Sequence, residues 1–200
     1  MTTLTFEEII EGLPKHMRDK LEDLKGLRER PDFHPEENCF EHIRIVTERA
    51  IDFGDKDLIM AALFHDIHKL DTMKINEKTG HPTSPGHDKW ARKTVSTDEK
   101  VGEFITDFGA DVENVAEICG QHMRIHQIGE MRKAKQLRLI ESPIFEKVSV
   151  FSKFDNMLFT DKEAMENADK AIESAKWSKE NEELHPFLMG KYLDSKRGEK

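Results

Sequence analysis

An almost uninterrupted apolar run, Leu58 to Phe64, ends abruptly in the adjacent pair His65-Asp66, with His68 and Lys69 inside the next turn. A helix that is apolar all round belongs in a core, so the rest of the chain has to be laid around this one. Helices commonly end on polar residues through capping and through bases favoured by the dipole. Here the ending is an imidazole and a carboxylate carried into the interior. Burying either is costly unless it is paired or binds a metal.

The flanking segments read as helices. Apolar spacing of three and four places helices over 5–12 and 14–27, broken at Gly12-Leu13-Pro14. Pro31 and Pro35 bracket a loop, and Pro35 is expected at the first position of a helix running from about Glu36 to Asp52. His42 lies at the margin of that helix's apolar face. Asp55 is the expected N-cap of the central helix. Residues 70–86, with their glycines and prolines, read as a loop long enough to cover something. Helices are expected again from His87 through Val95, from Thr97 or Asp98 to Phe108, and after an Asp111 cap.

In the helix after Asp111, the stripe Val112, Val115, Ala116, Cys119 reaches His122 at its next step. A basic helix over 131–141 follows, with Leu137 and Ile140 facing inward. Ser142-Pro143 is expected to open an apolar helix. Its stripe puts Asp155 where the period calls for a hydrophobe. An Ala-containing helix over 161–176 and a polar tail complete the chain. No strand pair, repeat or low-complexity tract stands out. The expected fold class is all-α.

Two hundred residues with 36% charged and 8% aromatic side chains fit one soluble, cytoplasmic domain. No signal-peptide pattern or membrane-spanning run is visible. Cys39 and Cys119 sit in apolar-periodic segments and read as buried free thiols. A net charge of −9 argues against strong non-specific nucleic-acid binding. One basic cluster, Arg124, Arg132, Lys133, Lys135 and Arg138, breaks the acidic trend. A solvated basic face is the simplest account of most of it.

His42, His65, Asp66 and Asp155 are two imidazoles and two carboxylates, each at the inner edge or end of an apolar helix. Independent burial of four unpaired polar groups would destabilise the chain, whereas a shared divalent transition metal would use them all. The alternative is a helical bundle whose histidines satisfy backbone carbonyls, and it expects no convergence of the four.

The order His42, His65-Asp66, Asp155 resembles the H…HD…D signature of the HD-domain metal-dependent phosphohydrolases over about residues 34–160. LFHDIHK stands where members commonly read LxHDIGK, and Gly86-His87-Asp88 and His122 match further positions. The arrangement is especially similar to HD domains of bacterial CCA-adding tRNA nucleotidyltransferases and of RNA end-healing enzymes. The tail from Pro186 to Lys191 is faintly similar as well. There is no nucleotidyltransferase head or P-loop.

The resemblance implies an HD-domain helical bundle, with N-terminal helices over 5–28 and a C-terminal helix and tail over 161–200. It implies that His42, His65, Asp66 and Asp155 hold one metal ion. His87 and His122 would hold a second, bridged by Asp66. Mn, Fe, Ni, Co or Zn would serve, and Mg also fits. Lys69 would contact a substrate phosphate or stabilise the charge that develops on it. Beside the resemblance, the basic cluster from Arg124 to Arg138 follows the His122 helix directly, and Arg124, Arg132 and Lys133 are candidates to hold an RNA backbone or phosphate near the metals. A metal-activated hydroxide would attack phosphorus. His68 departs from the family's small residue. It would crowd the pocket, bond a phosphate, protonate a leaving alkoxide, or sit on the helix surface without a role. His34 and His81 read as loop residues, and His126 as lining the mouth beside His122.

The implied substrate is a phosphorylated small molecule or an RNA end, with a 2′,3′-cyclic phosphate or a 2′-phosphate foremost. The enzymatic alternative is a free-nucleotide hydrolase: a 5′-nucleotidase, a dNTPase or a dinucleoside-polyphosphate hydrolase. The alternative of another class is a non-catalytic nucleotide-binding HD module.

Overall fold

The computed structural model describes residues 4–28 and 34–188. Pro31 and the tail beyond Leu188, including part of the segment from Pro186 to Lys191, lie outside the described residues. Among the described residues the chain is all-α apart from one small hairpin.

The central helix is the expected one. It spans Lys56–Phe64 (α4, after α1 Phe6–Gly12, α2 Lys15–Asp23 and α3 Cys39–Phe53). The Asp55 carboxylate caps it by accepting the N–H groups of Asp57 and Leu58. Every residue from Asp57 to Phe64 is buried. Each large side chain so enclosed contributes about 1.5–3 kcal/mol. The helices packed on α4 are α3, α8 (Val112–Ile125) and α10 (Phe145–Phe154). Outside them, α6 (His87–Thr97) lies against α8, and α11 (Asp161–Asn181) against α10. α7 (Glu99–Phe108) follows α6, and α9 (Lys133–Ile140) precedes α10.

Most helix ends follow local chemistry. Asp98 and Asp111 cap α7 and α8, and Gly54 and Gly109 end α3 and α7 at φ 86°. Such a conformation is inexpensive only for glycine. Cys39 and Cys119 are buried free thiols, as expected. Leu137 is only half-buried, and Leu139 joins Ile140 in the core instead.

Three expectations need correction. Pro35 does not open α3: the Asn38 side chain accepts the Glu41 N–H and starts the helix at Cys39, leaving Glu36 in the preceding bend. Pro143 does not open α10, which starts at Phe145 after a turn in which the Phe145 N–H bonds the Ser142 carbonyl. The segment over 70–86 is not all loop. It holds the short helix α5 (Lys69–Thr72) and a two-residue antiparallel ladder, Lys74–Ile75 against Pro82–Thr83. Strands this short carry no alternating pattern for a sequence reading to find.

Candidate metal centre

α4 stops at Phe64, and the chain turns through 65–68 before α5. Adjacent residues of a continuous helix diverge by about 100°. The turn instead brings Nε2 of His65 within 3.1 Å of Oδ2 of Asp66. His42 arrives from α3, His87 from the first residue of α6, His122 from the last turn of α8, and Asp155 from the C-cap of α10. All six predicted ligands converge. Five are buried, and the Asp155 side chain is 11% exposed.

They form two sets. On one side Nε2 of His42 lies 3.0 Å from Asp155 Oδ1, 3.2 Å from His65 Nε2 and 3.3 Å from Asp66 Oδ2. On the other, Asp66 Oδ1 lies 3.1 Å from Nε2 of His87 and 3.7 Å from Nε2 of His122, with the two nitrogens 3.2 Å apart. Ligand atoms held about 2.1 Å from one ion stand about 3.0–3.4 Å from one another. The spacings in both sets are close to that range. Asp66 turns one oxygen to each set.

The outer ring nitrogens decide what the inner ones offer. Nδ1–H of His65 donates to the Ala62 carbonyl at 2.9 Å, that of His87 to Ser84 at 2.6 Å, and that of His122 to Cys119 at 2.6 Å. Each uses the carbonyl three residues upstream. His42 instead donates Nδ1–H to Glu36 Oε1 at 2.8 Å. A carbonyl or carboxylate only accepts, so each neutral ring carries its proton on Nδ1 and presents a lone pair at Nε2. Two pairs of lone pairs then face each other at 3.2 Å. Asp66 Oδ1 is buried without a hydrogen-bond partner. A cation in each set resolves all of these conflicts, so the residues present fit two metal ions.

The electrostatics agree. Burial disfavours a charged His65, yet Asp66 and Asp155 outweigh it and hold the imidazole up to about 10. Burial and the neighbouring His65 push His122 down to about 3. Asp66 and Asp155 stay well below the usual carboxylate range despite burial, Asp66 chiefly through His65 and Lys69, and Asp155 chiefly through His126, His42 and His65. The centre calls for positive charge beside its two carboxylates.

A comparison with protein-family models matches the HD domain over residues 37–176. The chain belongs to the HD-domain family. No curated protein and no solved structure matches it. HD domains are typically metal-dependent hydrolases, and the His/Asp sets of this HD domain have the composition to hold divalent ions.

Around the candidate ligands of this HD domain, Lys69 is buried with Nζ 2.8 Å from Asp66 Oδ2. His68 is no surface residue. Its Nδ1 lies 2.5 Å from Asp71 and its Nε2 2.7 Å from Thr94 Oγ1, which ties the α4–α5 turn to α6. His126 stands 2.9 Å from Asp155 Oδ2. His81 is exposed in the hairpin loop. Arg124 lies on α8, where its guanidinium bonds Gln121. Arg132 and Lys133 are exposed at the start of α9.

Sequence reasoning missed Glu36, and it left His34 as a plain loop residue. His34 Nδ1 is 2.9 Å from the same Glu36 oxygen that holds His42. Burial disfavours charge on Glu36, but hydrogen bonds from His34 and His42 keep it at about 2. Both residues precede α3, where no helical period exists to mark an inward position. Arg49 was missed as well. It is buried, and its guanidinium reaches the carbonyls of Phe154, Asn156 and Phe159, the turn that carries Asp155.

Proposed function

We propose that this chain is a metal-dependent phosphohydrolase acting on nucleotides or RNA ends, with 2′,3′-cyclic phosphates or 2′-phosphates as leading substrates. One observation carries the reading. Asp66 addresses two separate ligand sets through its two oxygens, the donor arrangement that two-ion phosphoryl chemistry requires. His42, His65, Asp66 and Asp155 would hold one ion, and Asp66, His87 and His122 the other. Bound divalent ions bring the pKa of water toward neutrality and offset charge developing on the phosphoryl group.

The chain's own residues set the geometry. The Nδ1 bonds hold four imidazoles with Nε2 inward, so no ring has to reorient when substrate arrives. Lys69 holds Asp66 and adds a positive charge beside the phosphoryl group. His68 acts as a positioning residue, because its Nδ1 is engaged by Asp71 in α5 and its Nε2 by Thr94 on α6.

The RNA-end preference rests on the similarity of the LFHDIHK region to CCA-adding and end-healing HD domains. A cleft of about 380 Å³ between α6 and α8, lined by Lys89, Arg92, Lys93 and Arg124 together with Asp88, offers basic side chains to an anionic chain. Arg132 and Lys133 would extend that contact to a longer RNA.

The test is a phosphate-release screen with metal-stripped protein resupplied with Mn²⁺, Co²⁺, Ni²⁺ or Mg²⁺. Its substrates are 2′,3′-cyclic mononucleotides, 2′-phosphorylated RNA ends and free nucleotides. Turnover of the first two, lost with chelator and in Asp66→Asn, is expected. Full activity in excess chelator would sink the metal mechanism. Preferential turnover of dNTPs would move the substrate to the free-nucleotide class.

A further inference from the structure

The four imidazoles are not backed alike. His65, His87 and His122 lean on neutral carbonyls, whereas His42 leans on a carboxylate. The Glu36 side chain is 5% exposed, and its Oε1 takes hydrogen bonds from both His42 and His34. Its other oxygen, Oε2, is buried with no hydrogen-bond partner. A buried carboxylate left partly unsatisfied is destabilising. Helix capping does not require Glu36 there, because Asn38 caps α3.

We propose that Glu36 is a positioning residue for the metal ion on the His42 side, and that it makes this position the tighter of the two, loaded first. The inference rests on the reading that the centre binds two ions. A carboxylate behind an imidazole fixes the ring and strengthens the opposite nitrogen as a donor, and losing such a partner typically weakens metal binding 10- to 100-fold. The two positions already differ in their ligands. The His42 side has two imidazoles, the Asp155 carboxylate and one oxygen of Asp66, while the His87 side has two imidazoles and the other oxygen. Glu36 adds a second full negative charge behind the first position and none behind the second. His34 holds Glu36 Oε1 from the outer side, so the chain runs His34, Glu36, His42, metal.

The test titrates the full, metal-stripped chain with Mn²⁺ by calorimetry, with bound metal counted by elemental analysis. Wild type is expected to bind two ions in a tight and a weaker step. Glu36→Gln keeps the size and removes the charge. It should weaken the tight step about 10- to 100-fold and leave the weak step in place. His87→Ala, as the reciprocal control, should remove the weak step alone. An unchanged isotherm for Glu36→Gln beside a two-step wild type overturns the inference and leaves the metal reading standing. So do equal loss of both steps in Glu36→Gln, two identical wild-type sites, or loss of the tight step in His87→Ala. A wild-type chain that binds no metal overturns the metal reading itself. Circular dichroism of each variant separates loss of ligation from loss of fold.

Discussion

Replacing Arg49 with Met removes a buried guanidinium and keeps most of its apolar stem. In the native chain its Nη1 donates to the Phe154 carbonyl at 2.8 Å and to Asn156 at 3.1 Å, and its Nη2 donates to Phe159 at 2.6 Å. Its Nε also meets Asp161, which is 76% exposed. An exposed partner of this kind contributes under about 1 kcal/mol, so the carbonyl bonds dominate. Bonds from a charged donor contribute about 1.5–3 kcal/mol each, and three would sum to about 5–9. Water can replace the donor at the partly buried Asn156 and Phe159 carbonyls but not at Phe154, which brings the expected loss to about 3–5 kcal/mol. With a urea slope near 2 kcal/mol per M, the midpoint should fall by roughly 2 M. Urea unfolding of metal-free protein, followed by circular dichroism, measures it. Arg49→Lys should recover less than half, because an ammonium cannot span three carbonyls as the planar fork does. Asp161→Asn should cost under about 1 kcal/mol. An Arg49→Met loss below about 1 kcal/mol, or an equal loss in Asp161→Asn, would refute the reasoning.

Asp57 accepts bonds from the Asp111 N–H, Asn114 and Lys147, and these outweigh burial to lower its pKa from 3.8. A lowered carboxylate contributes stability that is present above its unfolded pKa and lost as pH falls through the folded one. Acid titration of stability should therefore show a loss below about pH 4 that is smaller in Asp57→Asn; an identical acid limb in both proteins would contradict this. Metal at a hundredfold excess over its Kd should stabilise the fold by about 2.7 kcal/mol, or roughly 5–10 °C in Tm for a chain of this size. Scanning calorimetry with Mn²⁺ and with chelator tests it, and equal Tm values would argue that the two ligand sets bind nothing.

Much of the site is legible in one dimension because its parts are local. Asp55, Asp98 and Asp111 announce helix starts through side chains that reach only two or three residues. His65, His122 and Asp155 stand where an apolar stripe would otherwise continue. His87 and His122, like His65, donate their outer hydrogen bond to the carbonyl three residues back, so their orientation is nearly a property of the segment itself. The starts of α3 and α10 were misplaced for an equally local reason. Proline at a first helical position is favoured but not obligatory, and Asn38 supplied a better cap further on.

The sequence alone determined the all-α class and the buried central helix, which depend on periodicity within one segment, and it offered six candidate ligands, His87 and His122 among them through the family resemblance. Only the tertiary structure decided at what distances the six side chains meet, that Glu36 and His34 stand behind His42, and that Arg49 holds the turn beneath Asp155. Those relations join residues up to 113 positions apart, as His42 and Asp155 are, through side chains whose meeting depends on how helices pack. Helical period says that a residue faces inward. Packing decides what it finds there.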